Sequence, residues 1–453
     1  GAGKTEESYK QFRFLIDSVE TKALWIQSSI KLLRKDEEKN SKEIAKLDSL
    51  LEEINKFGNE NANNLWLRGF EFEQKKKYKQ AIECYKKLNH AKFKSNKKRQ
   101  WALFRIGLIY LKQNNYEQAA KTFEEASKLP FTWSASGARM FLGDSYLALG
   151  NDSLARKAYL DCIKDFPLGY YAHRSREKLL TANLLPKENI PLAKGTPLSE
   201  KETLQWIQKQ QKRPGSFSNT TFLNVQKLLD YGFVENALEL FQTDYAKNSK
   251  RLDFLYAYGN LFLEANEVAQ AYRLARAFQN RIDRKVLADA PVSVLRFLYP
   301  LPYKERVFEK AGSAIDPYFV YSVMRQESIF DFQITSPVGA RGLLQIMPAT
   351  GKTLAELEGI QNFEPDNLYN AYLNIRLGIR YLIDLKQEYN NDYMYVLGNY
   401  NAGPKPAKRW QKAGEGLSWD LRAEDISYWE TRDYVKRVMG NYWIYQEIWK
   451  GSL

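Results

Sequence analysis

The sequence predicts a mainly all-α protein of more than one domain. Helical periodicity runs along nearly all of it, Lys- and Glu-rich faces alternate with apolar stripes, and Asn and Gly form the short breaks. Runs with the two-residue alternation of a strand are nearly absent. At 453 residues the chain has room for two or three domains, each with a sizeable core.

Composition narrows the chemistry. Two cysteines, Cys84 and Cys162, and two histidines, His90 and His173, argue against a Cys/His zinc site, and neither a metal nor a cofactor is expected. No run of 18 apolar residues marks a membrane span. The opening GAGKT lacks the full phosphate-loop pattern and a preceding strand. No signal-peptide pattern opens the chain, as expected of a cytosolic protein or one whose signal has been removed. The net charge of +14 is uneven: from Leu301 onward 18 Lys and Arg meet 19 Asp and Glu, so the first 300 residues carry the excess. Such an excess suits nucleic acid, an anionic surface or an acidic polymer. No nucleic-acid recognition motif accompanies it, so nucleic acid is not an expected partner.

Along the chain, residues 1–60 read as long charged helices with solvated faces. A repeat follows. Gly69, Gly107 and Gly143 are each followed twelve residues later by Ala81, Ala119 and Ala155, and four further on by Tyr85, Phe123 and Tyr159. The small residues let antiparallel helices approach, and the aromatic is expected to fill the gap between one pair and the next. This period resembles tetratricopeptide helix pairs, slightly lengthened, over 61–182. Residues 183–200, rich in Pro, Lys and Gly, read as a connector. Residues 201–299 hold weaker pairs, one at GFVENALELF and one marked by Gly259 and Ala271. Pro300 and Pro302 end this array, and 300–453 forms a separate helical domain dense in Tyr and Trp.

In that last domain Asp316-Pro317 supplies an N-cap and a first-position proline. On the helix they start, Phe319, Val320, Val323 and Met324 form an apolar stripe that Glu327 continues. A carboxylate on such a face is either paired with a buried cation or kept protonated. A protonated glutamate suits general acid catalysis, but glycoside hydrolysis normally takes two carboxylates. Asp331, four residues along the same helix, reads as its exposed exit, and no other acid is near. The Gly-rich TSPVGARG with Ser336, then Gln345 within an apolar run and Tyr400 in GNYNAGP, suggest a polar-lined cleft. Pro348 starts a helix, and DNLYNAYLNIRLGIRYLIDLKQEY reads as one long buried one.

RQESIFDFQITSPVGARGLLQIMPAT resembles the signature of soluble lytic transglycosylases of the Slt type, and NYNAGP and WETRDYV are similar to two further family motifs in the same order. YPLPY at the boundary is a fourth match. The resemblance implies a helical superhelix followed by a goose-lysozyme-like α-rich catalytic domain. It also implies non-hydrolytic cleavage of the MurNAc-β-1,4-GlcNAc bond of peptidoglycan, with Glu327 as acid and then base and a 1,6-anhydro product. Ser336, Gln345, Met347, Tyr400 and Glu430 match substrate-binding positions. Leu344 in place of Met, and Asn399 in place of a small residue, depart from the family pattern and are expected to reshape subsites. For Glu430 the plain alternative is an acid stabilised by its helix N-terminus. The implied partners are peptidoglycan strands and, through the repeats, cell-wall synthesis or divisome proteins. The implied setting is the periplasm of a Gram-negative bacterium, for a monomer. The alternatives are a muramidase-type hydrolase on the same fold and an inactive peptidoglycan-binding scaffold.

Overall fold

Glycines and aromatic rings set the spacing of the first helix pairs. The computed structural model describes residues 62–450 except 89–95, 130–132, 191–194, 212–216 and 218, together with positions 45 and 49. Apart from positions 45 and 49, the helices expected in 1–60 lie outside the described residues, as does His90. The chain divides into two compact units, 1–155 and 156–453. Among the described residues the regular elements are helices, with isolated β-bridges only.

In the first unit α1 (Ala62–Gln74) pairs with α2 (Tyr78–Leu88), and α3 (Asn96–Lys112) with α4 (Tyr116–Ser127), followed by α5 (Trp133–Ala148). A Cβ added at Gly69 would sit 2.7 Å from the Tyr85 ring, and one at Gly107 2.5 Å from Phe123. Each of these aromatics lies on the glycine of its own pair and also reaches the next one, as the sequence suggests: Phe123 stacks on Phe141 at 5.8 Å, and Tyr85 packs in one core with Ala102, Ile106 and Ile109. Inside this unit Glu73 is buried. It accepts from Arg105 Nε at 2.9 Å, Lys112 Nζ at 3.1 Å and Tyr85 Oη at 3.1 Å. Burial alone would raise its carboxyl, but the two cations outweigh that and hold it below the usual range. This glutamate is structural.

The second unit takes in α6 (Asp152–Asp165), whose first turn holds the division, and α7 (Tyr170–Thr181). The expected later pairs are α9 (Asn219–Asp230) with α10 (Val234–Asn248) and α11 (Leu252–Glu264) with α12 (Val268–Gln279), preceded by α8 (Glu200–Gln210) and closed by α13 (Val292–Leu298). The connector is built in rather than free. Thr196 N–H donates to the Ala290 carbonyl at 3.1 Å and its own carbonyl accepts from Val292 at 2.9 Å. Gly195, at φ 75°, runs so close to Val292 that a Cβ would meet the Val292 Cα at 2.6 Å. Cys84 and Cys162 are both buried and free of disulfides.

The remaining helices are α14 (Lys304–Ala311), α15 (Pro317–Glu327), α16 (Pro348–Leu357), α17 (Ala371–Glu388), α18 (Tyr393–Ala402), α19 (Pro404–Ala413), α20 (Trp419–Asp425) and α21 (Trp429–Trp449). The start of the predicted long helix is a separate 3-10 turn, Pro365–Tyr369, because Asn370 caps α17 through the Leu373 N–H. The proline-rich boundary is clamped by side chains: carbonyls of Tyr299, Pro300 and Pro302 accept from Trp449 (2.9 Å), Tyr445 (3.1 Å) and Tyr321 (2.9 Å). Helix α7 docks against the far side of α20 and α21. Buried Asp420 accepts from Tyr170 at 3.1 Å and Arg174 Nε at 2.8 Å, and buried Glu424 from Tyr171 at 2.5 Å and Lys436 at 2.8 Å.

Candidate active site

Helix α15 presents Glu327 because α21 holds it at both ends. At its start Asp316 caps the Tyr318 N–H at 2.9 Å and, with its other oxygen, accepts from Tyr442 at 3.1 Å and Gln446 at 2.9 Å. At its end the Tyr434 hydroxyl donates to Glu327 Oε1 at 2.5 Å. The apolar stripe predicted for α15 is the core: Phe319, Val320, Val323 and Met324 are fully buried. Glu327 is the last residue of the helix and is only half-buried, so a ligand can reach it.

The neighbouring cation goes elsewhere. Arg325 is buried between aromatic faces, 4.1 Å from the Tyr299 ring centroid and 4.7 Å from that of Tyr272, and it donates to the Leu298 carbonyl. Among the described residues no Lys or Arg forms an ion pair with Glu327. Burial therefore pushes its carboxyl up to about 7, opposed only by the Tyr434 hydrogen bond. Glu327 and Glu73 are the same residue type under opposite conditions. The carboxyl without cations is the one suited to hold a proton at neutral pH.

The chain after Glu327 differs from expectation. Helix α15 ends there, so Asp331 is not on it. Ile329 and Phe330 both take left-handed conformations, φ 59° and 61°, unusual for any non-glycine and most so for a β-branched residue. Buried Phe330, edge-on to Tyr272 at 5.4 Å, secures the turn, and the Asp331 N–H closes it on the Ser328 carbonyl at 3.0 Å. Asp331 itself accepts from its own Gln333 N–H at 3.0 Å and meets Arg273 at 3.4 Å.

The Gly-rich segment forms a compact turn through bridges Thr335–Arg341 and Arg341–Ile346. Ser336 Oγ accepts the Ala340 N–H at 3.0 Å. Gln345, half-buried at φ 45°, donates to the carbonyls of Ile334 (3.1 Å) and Gly342 (2.9 Å). Met347 is 41% exposed, just before α16. Asn374 on α17 clamps this turn. It accepts from the Leu344 N–H at 2.8 Å and donates to the carbonyls of Arg341 (2.9 Å) and Leu368 (2.8 Å). Gly342 is required there, since a Cβ would stand 2.3 Å from both the Leu368 oxygen and the Asn374 amide.

Tyr400, on α18, donates to the Leu344 carbonyl at 2.5 Å, tying the second motif to the first. Burial, then the nearby Glu327, raise its phenol well above the ordinary value, so it stays a donor. Thr431 on α21 donates to Asn401 at 2.6 Å, joining the third motif to the second. Glu430 is exposed in the first turn of α21, four residues before Tyr434 and so on the same side of that helix. The two departures from the family pattern are buried residues. Leu344 fills the space over Gly378, and Asn399 donates to Tyr389 at 3.1 Å.

The geometry thus joins Glu327 to Tyr434 and sets Tyr400 close by, while Ser336 and Gln345 build the adjoining turn. Tyr434 and Asn374 were not singled out from the sequence. Both carried a signal: Tyr434 stands within WETRDYV, and Asn374 is an amide inside the apolar run AYLNIRLGI.

Residues 307–419 match the transglycosylase SLT domain family, and residues 104–169 match a tetratricopeptide repeat family. The chain is 31% identical over 190 residues to the soluble lytic murein transglycosylase of Escherichia coli K12, a match covering 40% of this chain and 29% of that protein. A putative soluble lytic murein transglycosylase of Haemophilus influenzae is 31% identical over 172 residues, covering 37% of this chain and 29% of that protein. An inactive mutant of the lytic transglycosylase Slt from Pseudomonas aeruginosa superimposes over 92% of this chain and 61% of its own, with TM-score 0.63 and 22% identity. The 70 kDa soluble lytic transglycosylase of E. coli does so with TM-score 0.58 and 18% identity, over 94% of this chain and 62% of its own. This chain therefore spans under two thirds of these proteins and shares the all-α fold of the two solved structures. No helix among its described residues is long and apolar enough to cross a membrane.

Proposed function

We propose that this protein is a peptidoglycan lytic transglycosylase that cleaves the MurNAc-β-1,4-GlcNAc bond without water. The observation that carries the reading is Glu327: reachable, unpaired with any described cation and raised to about 7 by burial. In the proposed reaction its proton passes to the glycosidic oxygen as the C1–O bond breaks, and the substrate's N-acetyl group stabilises the cationic centre. The carboxylate then takes the proton of the C6 hydroxyl, whose oxygen bonds to C1. Atoms balance with no water consumed, and one carboxyl suffices.

Tyr434 positions the carboxyl and bears part of the charge when it is ionised. Ser336, Gln345, Met347, Tyr400 and Glu430 are the proposed saccharide contacts. The resemblance to soluble lytic murein transglycosylases supports peptidoglycan as substrate and a periplasmic setting. In the proposed organisation the basic residues before Leu301 hold strands that bear carboxylates. Digestion of purified sacculi followed by mass spectrometry tests the reading. Muropeptides one water lighter than lysozyme products are expected, and fully hydrated reducing ends would assign a hydrolase instead.

A further inference from the structure

Away from Glu327 the second unit carries two open concavities, of about 670 Å³ and about 430 Å³, that share Asn390 and Asp392. Glu327 lines neither. The smaller is walled by Trp419, Trp443 and Tyr393, all half-buried. Their rings are held in place: His173 stacks on Trp443 at 4.1 Å, and Phe319 on Tyr393 at 4.1 Å. At the lip, Asn390 and Asn391 are exposed and left-handed, φ 50° and 64°, because α17 ends there and the Asn391 N–H closes on the Lys386 carbonyl at 2.9 Å. Their amides thus stand on a fixed turn.

The charges walling the smaller concavity are compensated, whereas Lys412 and Glu415 add charge to the far wall of the larger one. Arg174 is paired with Asp420 at 2.8 Å, and Arg422 with Asp392 at 2.8 Å. What remains in the smaller one is aromatic surface beside uncharged amides, in a volume of the size that holds small ligands. That combination disfavours a simple anion. It matches a neutral polar ligand with apolar C–H faces, the character of a pyranose bearing an acetamido group: ring faces meet aromatic rings and the acetamido group bonds to side-chain amides. One helix links the groove to the candidate active site. Helix α18 starts in it at Tyr393 and carries Tyr400 roughly 10 Å further along its axis.

We infer that this groove is a second saccharide-binding site, for an N-acetylated β-1,4-linked amino-sugar chain, separate from the cleft at Glu327. The inference rests on the proposed function only for the choice of ligand. A strand seated in the groove is retained after each cut, so the site serves polymer binding rather than bond cleavage.

The test uses the full chain carrying Glu327→Gln, labelled with 5-fluorotryptophan and titrated with the β-1,4-linked tetramer of N-acetylglucosamine. The Trp419 and Trp443 resonances, assigned by Trp→Phe substitution, are expected to move saturably. Asn390→Gly with Asn391→Gly keeps the left-handed backbone and removes both amides, and is expected to weaken this response at least tenfold. The same pair in the active chain is expected to leave the initial rate on short soluble glycans unchanged. Fixed Trp419 and Trp443 resonances, or a response indifferent to the asparagine substitutions, would overturn the inference. If sacculi yield anhydro ends while these resonances stay fixed, only the groove falls. If the resonances move and sacculi are not cut, only the proposed function falls.

Discussion

The Tyr434 hydroxyl meets Glu327 Oε1 at 2.5 Å, so α21 supplies, among the described residues, the one side-chain hydrogen bond that steadies the ionised form of the proposed acid. Burial of that carboxyl favours its proton. Removing the phenol should therefore shift the balance further. In Tyr434→Phe the alkaline limb of the pH–rate profile is expected to move upward from about 7. Activity at the optimum is expected to fall roughly tenfold, the scale of one hydrogen bond to a charged group. A limb that stays put or moves down would remove Tyr434 from this role.

Glu327→Gln should abolish cleavage and yet stabilise the protein in alkali. The folded carboxyl is raised from 4.5 to about 7, so its proton favours the fold fully below about 4.5, and that contribution is lost as pH rises through 7. The variant has no such loss. Its stability is expected to exceed the parent's at pH 8 by on the order of 1–3 kcal/mol, seen as a higher melting temperature, and to converge with it near pH 4.5. Thermal melts across that range decide it, and a variant less stable at pH 8 would contradict the burial argument.

Asn374→Ala should loosen the turn that adjoins the acid. It leaves the Leu344 N–H and two carbonyls without their partner. The expected loss is about 2–4 kcal/mol, read by urea unfolding. Gly342→Ala, with a Cβ 2.3 Å from the Leu368 oxygen at φ 73°, should be at least as severe. Near-neutral values for both would show that the turn does not depend on this clamp.

In the repeats, Gly107→Ala places a Cβ 2.5 Å from Phe123. It is expected to destabilise the first unit by about 1–3 kcal/mol, with partial rescue by Phe123→Leu. Lack of rescue would mean that the ring does not set the helix spacing.

Much of this was legible in the sequence because local chemistry decides it. Asp316-Pro317 starts α15 as its capping pattern dictates, Pro348 starts α16, and the repeat glycines Gly69 and Gly107 sit at close helix approaches. Glu327 stood out because an acid in an apolar stripe breaks a local rule. Long-range partners were not legible. Nothing in α15 says that its acid meets a tyrosine 107 residues on, or that Asn374 clamps a loop 30 residues before it. The left-handed Ile329 and Phe330 were hidden for another reason. Tertiary burial of Phe330 overrides the preference of both residues, so Asp331 left the helix on which periodicity had placed it.

The central claim is that one carboxyl serves twice and that the C6 hydroxyl of the sugar, not water, closes the reaction. Digestion of sacculi in ¹⁸O-labelled water, followed by mass spectrometry of the released muropeptides, tests it most directly. Products one water lighter than lysozyme products and free of ¹⁸O, absent when Glu327→Gln replaces the active chain, are what it predicts. Reducing ends carrying ¹⁸O, or undiminished release by the Glu327→Gln chain, would contradict it.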